Sequence, residues 1–101
     1  MKTVTLCGSM RFEKEMRRLA FALEIGRGWN VLQCVYNTEN REIDEPARAR
    51  LDAAHRRRIE LSDAIYVVDI GGYVGETTRR EMAYARQLGK EIIRHSQLIG
   101  S

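Results

Sequence analysis

The chain has 101 residues, 44% of them apolar and 31% charged, with a formal charge of +3 and an isoelectric point near 9.1. That length makes one domain, residues 1–101, and the balance of apolar and charged residues excludes a disordered chain. The mild basicity suits a phosphate-bearing partner, but acids and bases are interspersed, so it does not single out nucleic acid.

No stretch approaches the length of a membrane span, and Met1-Lys2-Thr3-Val4-Thr5-Leu6 lacks an apolar signal core. No membrane partner is expected. The two cysteines, Cys7 and Cys34, fall in apolar, strand-like runs. They read as buried reduced thiols, which places the chain in a reducing cytoplasm.

In chain order, Lys2–Cys7 is rich in β-branched residues and ends at Gly8-Ser9, which predicts a first strand. Phe12, Met16, Leu19 and Leu23 recur at helical steps, so Met10–Ile25 is predicted to be an amphipathic helix, N-capped by Ser9 and stopped at Gly26 or Gly28. Trp29–Tyr36 is the second predicted strand, and Asn37–Asp44 a polar loop. Pro46 sits where a first helical turn tolerates it, opening a helix to Leu61 with Leu51, Ala54, Arg58 or Ile59, and Leu61 on one side. Ala64–Asp69 is the third strand, Thr78–Leu88 the third helix, Glu91–His95 the fourth strand and Ser96–Ser101 a tail.

Strands alternating with helices imply an α/β fold, a parallel sheet with helices on both faces, here in the order 2-1-3-4. In such sheets ligands bind beyond the carboxyl ends of the strands, where the strand order reverses. That order brings together the loop Cys7-Gly8-Ser9-Met10-Arg11 and the glycine-rich loop Asp69 to Thr78.

These loops carry the candidate chemistry. Gly8 lets backbone approach a ligand, Ser9 opens a helix whose free N–H groups attract anions, and Arg11 adds a fork suited to phosphate. The same residues would make an ordinary strand-to-helix turn. Neither dinucleotide nor P-loop glycine spacing is present. Glu81 can act on the anomeric carbon of a sugar, but Thr78-Arg79-Arg80-Glu81 also matches a capping box. Asp69, ending the third strand, is either a catalytic or ribose-binding acid or a hydrogen-bond acceptor for the glycine loop. Gly71, Gly72 and Gly75 allow a lid or a tight turn, and Tyr73 stacks on a base or packs on the sheet. Glu76 is the remaining acid of this loop. His55-Arg56-Arg57-Arg58 reads as a solvated face, without the interleaved aromatics of single-strand binders, so no nucleic-acid partner is expected. His55 and His95 lack metal-ligand spacing, so no metal centre is expected.

Three segments resemble the nucleoside 2-deoxyribosyltransferase superfamily. These are Cys7-Gly8-Ser9-Met10-Arg11 after the first strand, Ser62-Asp63-Ala64 ahead of the third, and Glu81-Met82-Ala83-Tyr84-Ala85-Arg86-Gln87-Leu88-Gly89-Lys90 near the end. The resemblance implies a flavodoxin-like three-layer fold and cleavage of the bond between a (deoxy)ribose and a base, without a cofactor. It makes Glu81 the nucleophile and Ser9 and Arg11 phosphate ligands. Members that hydrolyse 5′-monophosphates work as dimers, so a homodimer or higher homo-oligomer is expected. Three positions depart from the family pattern. His55 stands where members carry the aspartate that protonates the leaving base. Gly75 stands where the transferases carry an acid, with Glu76 one step off, and residue 83 is alanine rather than glycine.

The expected catalytic set is therefore Glu81 with His55 or Asp69. The expected nucleotide-binding set is Gly8, Ser9, Met10 and Arg11 with Gly72, Tyr73, Gly75, Glu76 and Thr77. The expected activity is that of a (deoxy)nucleoside 5′-monophosphate N-glycosidase or deoxyribosyltransferase. The alternative is a nucleotide-binding module without turnover.

Overall fold

A computed structural model describes residues 1–99; Gly100 and Ser101, the end of the predicted tail, lie outside the described residues. The elements are β1 (Thr3–Cys7), α1 (Glu13–Arg27), β2 (Asn30–Leu32), α2 (Glu45–Leu61), β3 (Ala64–Val67), α3 (Glu76–Gln87), β4 (Glu91–Arg94) and α4 (His95–Ile99). The four strands form one parallel sheet in the order β2-β1-β3-β4, as the alternation of elements predicts. This is an α/β fold of the flavodoxin-like kind.

Each face of the sheet has its own core. On one side Met16, Ala20 and Leu23 of α1 pack on Val4, Leu6, Val31, Ala64, Tyr66 and Val68. On the other, Ile59 of α2 and Met82 and Ala85 of α3 pack on Cys7, Ile65 and Val67. Successive residues of β3 thus serve opposite cores, which is why the strand is apolar without interruption. The one polar residue buried in β1, Thr5, shares a 2.6 Å hydrogen bond with Ser62. Asp63 accepts the Thr3 N–H at 2.8 Å and returns its own N–H to the Thr3 carbonyl. It ties the start of β3 to β1.

Several boundaries differ from those the sequence predicts. A 3₁₀ turn, Met10–Phe12, precedes α1, and Ser9 caps that turn by accepting the Arg11 N–H at 3.3 Å. Gly28 ends α1 in the left-handed conformation. β2 is short because it is an edge strand: its last pair with β1 is Leu32 with Thr5, and Gln33–Tyr36 leaves the sheet. The buried stripe of α2 is His55 and Ile59, continued by Ser62, whereas Leu51 and Leu61 are exposed. Asp44 caps α2 through the Ala47 N–H at 2.9 Å, with Pro46 in the first turn as expected. β3 gives way at Asp69 to a turn, Ile70–Gly72, with Gly71 at φ 67° and Gly72 at φ 81°. The predicted tail begins as α4, and His95 heads that helix rather than ending β4.

Candidate active site

Beyond the carboxyl ends of β1 and β3 lies a cavity of about 500 Å³. Gly8, Ser9 and Met10 line it from the loop after β1, and Tyr73, Gly75, Glu76, Thr77, Thr78 and Glu81 from the loop after β3 and the start of α3. Cys34, Val35 and Asn37 contribute from the segment that leaves β2, and Arg48, Leu51, Asp52, His55 and Arg58 from α2. The two predicted loops do meet. The Arg11 guanidinium lies 3.8 Å over the Tyr73 ring, and Phe12 meets the same ring edge-on at 6.1 Å. Packing at Gly8 is tight: a Cβ there would lie 3.1 Å from Met16 Sδ and 3.2 Å from Val68 Cβ. Gly75 is the N-cap of α3 and offers no side-chain cap, so the N–H groups of the first turn are left free where Glu76, Thr77 and Thr78 line the cavity.

Glu81 is not a capping residue. α3 begins at Glu76, two residues before the predicted start, which moves Glu81 from the first turn into the second. Its side chain is 18% exposed and its Oε1 lies 3.7 Å from His55 Nε2. His55 Nε2 is also 3.7 Å from Cys7 Sγ. Burial pushes the Glu81 carboxyl up to about 7; the Cys7 thiol opposes that shift and the Asp52 charge adds to it. Burial, with the Arg58 charge, pulls His55 down to about 4, partly offset by Asp52. Burial raises the Cys7 thiol well above its ordinary value, with Glu81 adding to the shift, so it stays protonated. Near neutral pH the centre holds a carboxyl divided between its two forms beside a neutral imidazole and a thiol.

The other predicted residues are placed differently. Asp69 is fully buried but does not line the cavity. Its carboxylate accepts Arg94 Nε at 2.9 Å, the Ser96 N–H at 2.7 Å and the Ser96 hydroxyl at 2.6 Å. Gly72 lines a separate cleft beside α3. Arg11 reaches the cavity only through Tyr73. Of the basic run, Arg56 and Arg57 are exposed as expected, but His55 turns inward and Arg58 lines the cavity. Cys34 is half-buried at the cavity wall rather than fully enclosed, and both cysteines are free.

Arg48, Asp52 and Arg58 escaped the sequence reading. Their signal was there: positions 48, 51, 52, 55 and 58 recur at steps of three and four along α2, a mostly polar stripe at helical period. An apolar search passes over such a stripe.

Cys7 Sγ, His55 Nε2 and a Glu81 oxygen lie within 4.8 Å of one another, a mixed sulfur, nitrogen and oxygen donor set of the type divalent cations use. Metal-ligating histidines commonly have their second nitrogen oriented by a partner, and His55 Nδ1 makes no hydrogen bond among the described residues. The donors match a cation's needs, but the imidazole's support does not, so the cluster does not fit a resident metal. His95 is engaged elsewhere, sharing a 2.5 Å hydrogen bond with Tyr66 through Nδ1.

A parallel α/β sheet with a buried carboxyl at its switch point defines the fold and the site together. Among solved structures the chain is similar to a 2-desoxiribosyltransferase from Leishmania mexicana, with a TM-score of 0.68 and 21% identity over 93% of this chain and 63% of that one. It is similar also to the CMP N-glycosidase BcmB of Clostridium botulinum, with a TM-score of 0.55 and 23% identity over 92% and 70%. A conserved protein from Enterococcus faecalis V583 matches with a TM-score of 0.64 and 16% identity over 93% and 62%. The chain therefore shares its fold with these three structures, while spanning less than two thirds of the Leishmania mexicana and Enterococcus faecalis chains. No family model and no curated protein matches the sequence.

Proposed function

We propose that the chain cleaves the base–sugar bond of a (deoxy)nucleoside 5′-monophosphate through Glu81. The observation that carries this is the position of Glu81: largely withdrawn from solvent at the cavity wall, released from helix capping, and raised to about 7 by that burial. The Leishmania mexicana and Clostridium botulinum structures, described as a deoxyribosyltransferase and a CMP N-glycosidase, support chemistry at a glycosidic bond.

In this reading the phosphate sits against Ser9 and the N–H groups of the first turn of α3, with Arg11 held at the rim by Tyr73. Ionised Glu81 forms a bond to C1′ as the C1′–N bond breaks, and the base nitrogen takes the bonding electrons and then a proton from water in the open cavity, which leaves hydroxide to solvent buffer. Water or a second base then attacks C1′ and releases Glu81. His55 is neutral at pH 7, so it steers the carboxyl rather than supplying that proton. Asp69 supports the fold from behind the site. A second copy of the chain packing near the cavity mouth belongs to the same reading.

Chromatography of candidate nucleotides after incubation tests it. Free base is expected with wild type and not with Glu81→Gln. Equal release by the two, or no release from any nucleotide, overturns it.

One observation favours a second reading. A histidine held at about 4 is a poor acid at neutral pH, and it stands where the family resemblance places the acid for the leaving base. A pocket that binds nucleotide without turnover would tolerate that. Tight binding by wild type and Glu81→Gln alike, with no free base, would establish it.

A further inference from the structure

A second cleft, of about 350 Å³, opens beside α3 and is lined by Gly72, Val74, Arg79, Met82, Arg86 and Arg94. It shares no lining residue with the cavity at Glu81. We propose that this cleft binds a diphosphate-type anion through its three arginines, independently of the reaction at Glu81.

Three lining residues are cations and none is an acid. Arg79 and Arg86 make no ion pair among the described residues, whereas their neighbour Arg80 pairs with Glu76. Arg86 stands seven positions after Arg79, so the two rise from one face of α3 about 10 Å apart along its axis. Met82, 6% exposed, lies between them with Val74 as an apolar floor.

Arg94 completes the cleft from the end of β4. Its Nε is fixed by the buried Asp69, itself held by two bonds from Ser96. Its terminal nitrogens carry no hydrogen bond among the described residues. A guanidinium oriented through one nitrogen and free at two is prepared for a planar, bidentate contact with phosphate oxygens. Gly72 leaves the rim open: a Cβ there would meet nothing within 4 Å. Like charges gathered in one cleft repel, and a multiply charged anion removes that repulsion while bridging all three. Two linked phosphates span the separation along α3 better than one.

Calorimetric titration of inorganic pyrophosphate into the whole chain tests the proposal. One site per chain is expected. Arg86→Ala should weaken binding by about tenfold, and Arg79→Ala with Arg86→Ala should weaken it further. Both side chains are exposed, so the unliganded variants should melt at or above wild type. A nucleoside diphosphate that binds with the same dependence on both arginines identifies the diphosphate as one carried by a nucleotide. Binding of pyrophosphate alone identifies the free anion. Absence of binding at millimolar pyrophosphate, or equal affinity in wild type and the double variant, overturns the proposal. Neither result bears on Glu81, whose role is read from free base.

Discussion

Asp69 and Glu81 are both carboxyls withdrawn from water, and their surroundings drive them in opposite directions. Burial alone would push Asp69 up, but hydrogen bonds from the Ser96 hydroxyl and N–H, then from Arg94, outweigh it and hold the group below its ordinary value. Glu81 has only the Cys7 thiol to oppose the same penalty, and it rises to about 7. Burial thus does not decide which carboxyl is reactive. The number of donors aimed at it does. A satisfied carboxylate becomes part of the scaffold, and an unsatisfied one keeps its capacity for a substrate.

The sharpest test of this contrast is to neutralise each carboxyl separately. If Glu81 is the nucleophile we propose, Glu81→Gln should reduce release of free base on the order of 10³-fold or more. Asp69→Asn should instead act on stability. It leaves Arg94 without its carboxylate, a loss of about 3 kcal/mol, seen as a fall in melting temperature on the order of 10 °C or more. Activity of the remaining folded protein should stay within about tenfold of wild type. A comparable loss of activity in both variants would break the distinction.

The pH dependence should separate them next. In the proposed reaction Glu81 attacks in its ionised form, so kcat/KM should climb about tenfold per unit below pH 6 and level off above about 7. Stability runs the other way at this group. Its folded value lies above the unfolded value, so the contribution is complete below about 4.3 and is lost as pH rises through about 7. Melting of Glu81→Gln should therefore exceed that of wild type at pH 9, on the order of 10 °C, with the difference closing toward pH 4. His55 has the reverse sign. Its folded value is depressed to about 4, so its contribution is present above about 6.5 and is lost as pH falls through about 4. Between about 4.3 and 6.5 the two trends oppose one another, and wild type should show a shallow melting profile there. A steep profile in that window would show that the pair titrates otherwise.

The smallest effect probes the donor count directly. Cys7→Ser replaces a weak donor to Glu81 with a stronger one, so the rising limb of the kcat/KM profile should move toward acid by less than about one unit. No movement would mean that burial alone sets Glu81.

Much of the scaffold was legible because it rests on local patterns. Apolar runs of strand length, the helical steps of Met16 and Leu23, Asp44 ahead of Pro46, and Gly28 at a helix end are chemistry between near neighbours. Alternation of the elements then restricts the sheet to few orders, and the switch point follows. The errors fall where a distant contact decides. Gln33–Tyr36 has strand composition, but its pairing with β1 ends at Leu32 with Thr5 although β1 runs on to Cys7. Thr78 looked like a cap, yet it is buried inside a helix that Gly75 begins.

The residues themselves determined that this chain makes a parallel α/β sheet, that loops from its first and third strands converge, and that a carboxyl stands near them. Periodicity and turn chemistry act over a few residues and survive without knowledge of the whole. Only the tertiary structure decided what each carboxyl became. It turned Asp69 toward Arg94 and Ser96, set His55 and Cys7 against Glu81, and brought the polar stripe of α2 over the cavity. Ionisation depends on the donors and the water that remain around a group, and those come from segments far apart in the chain.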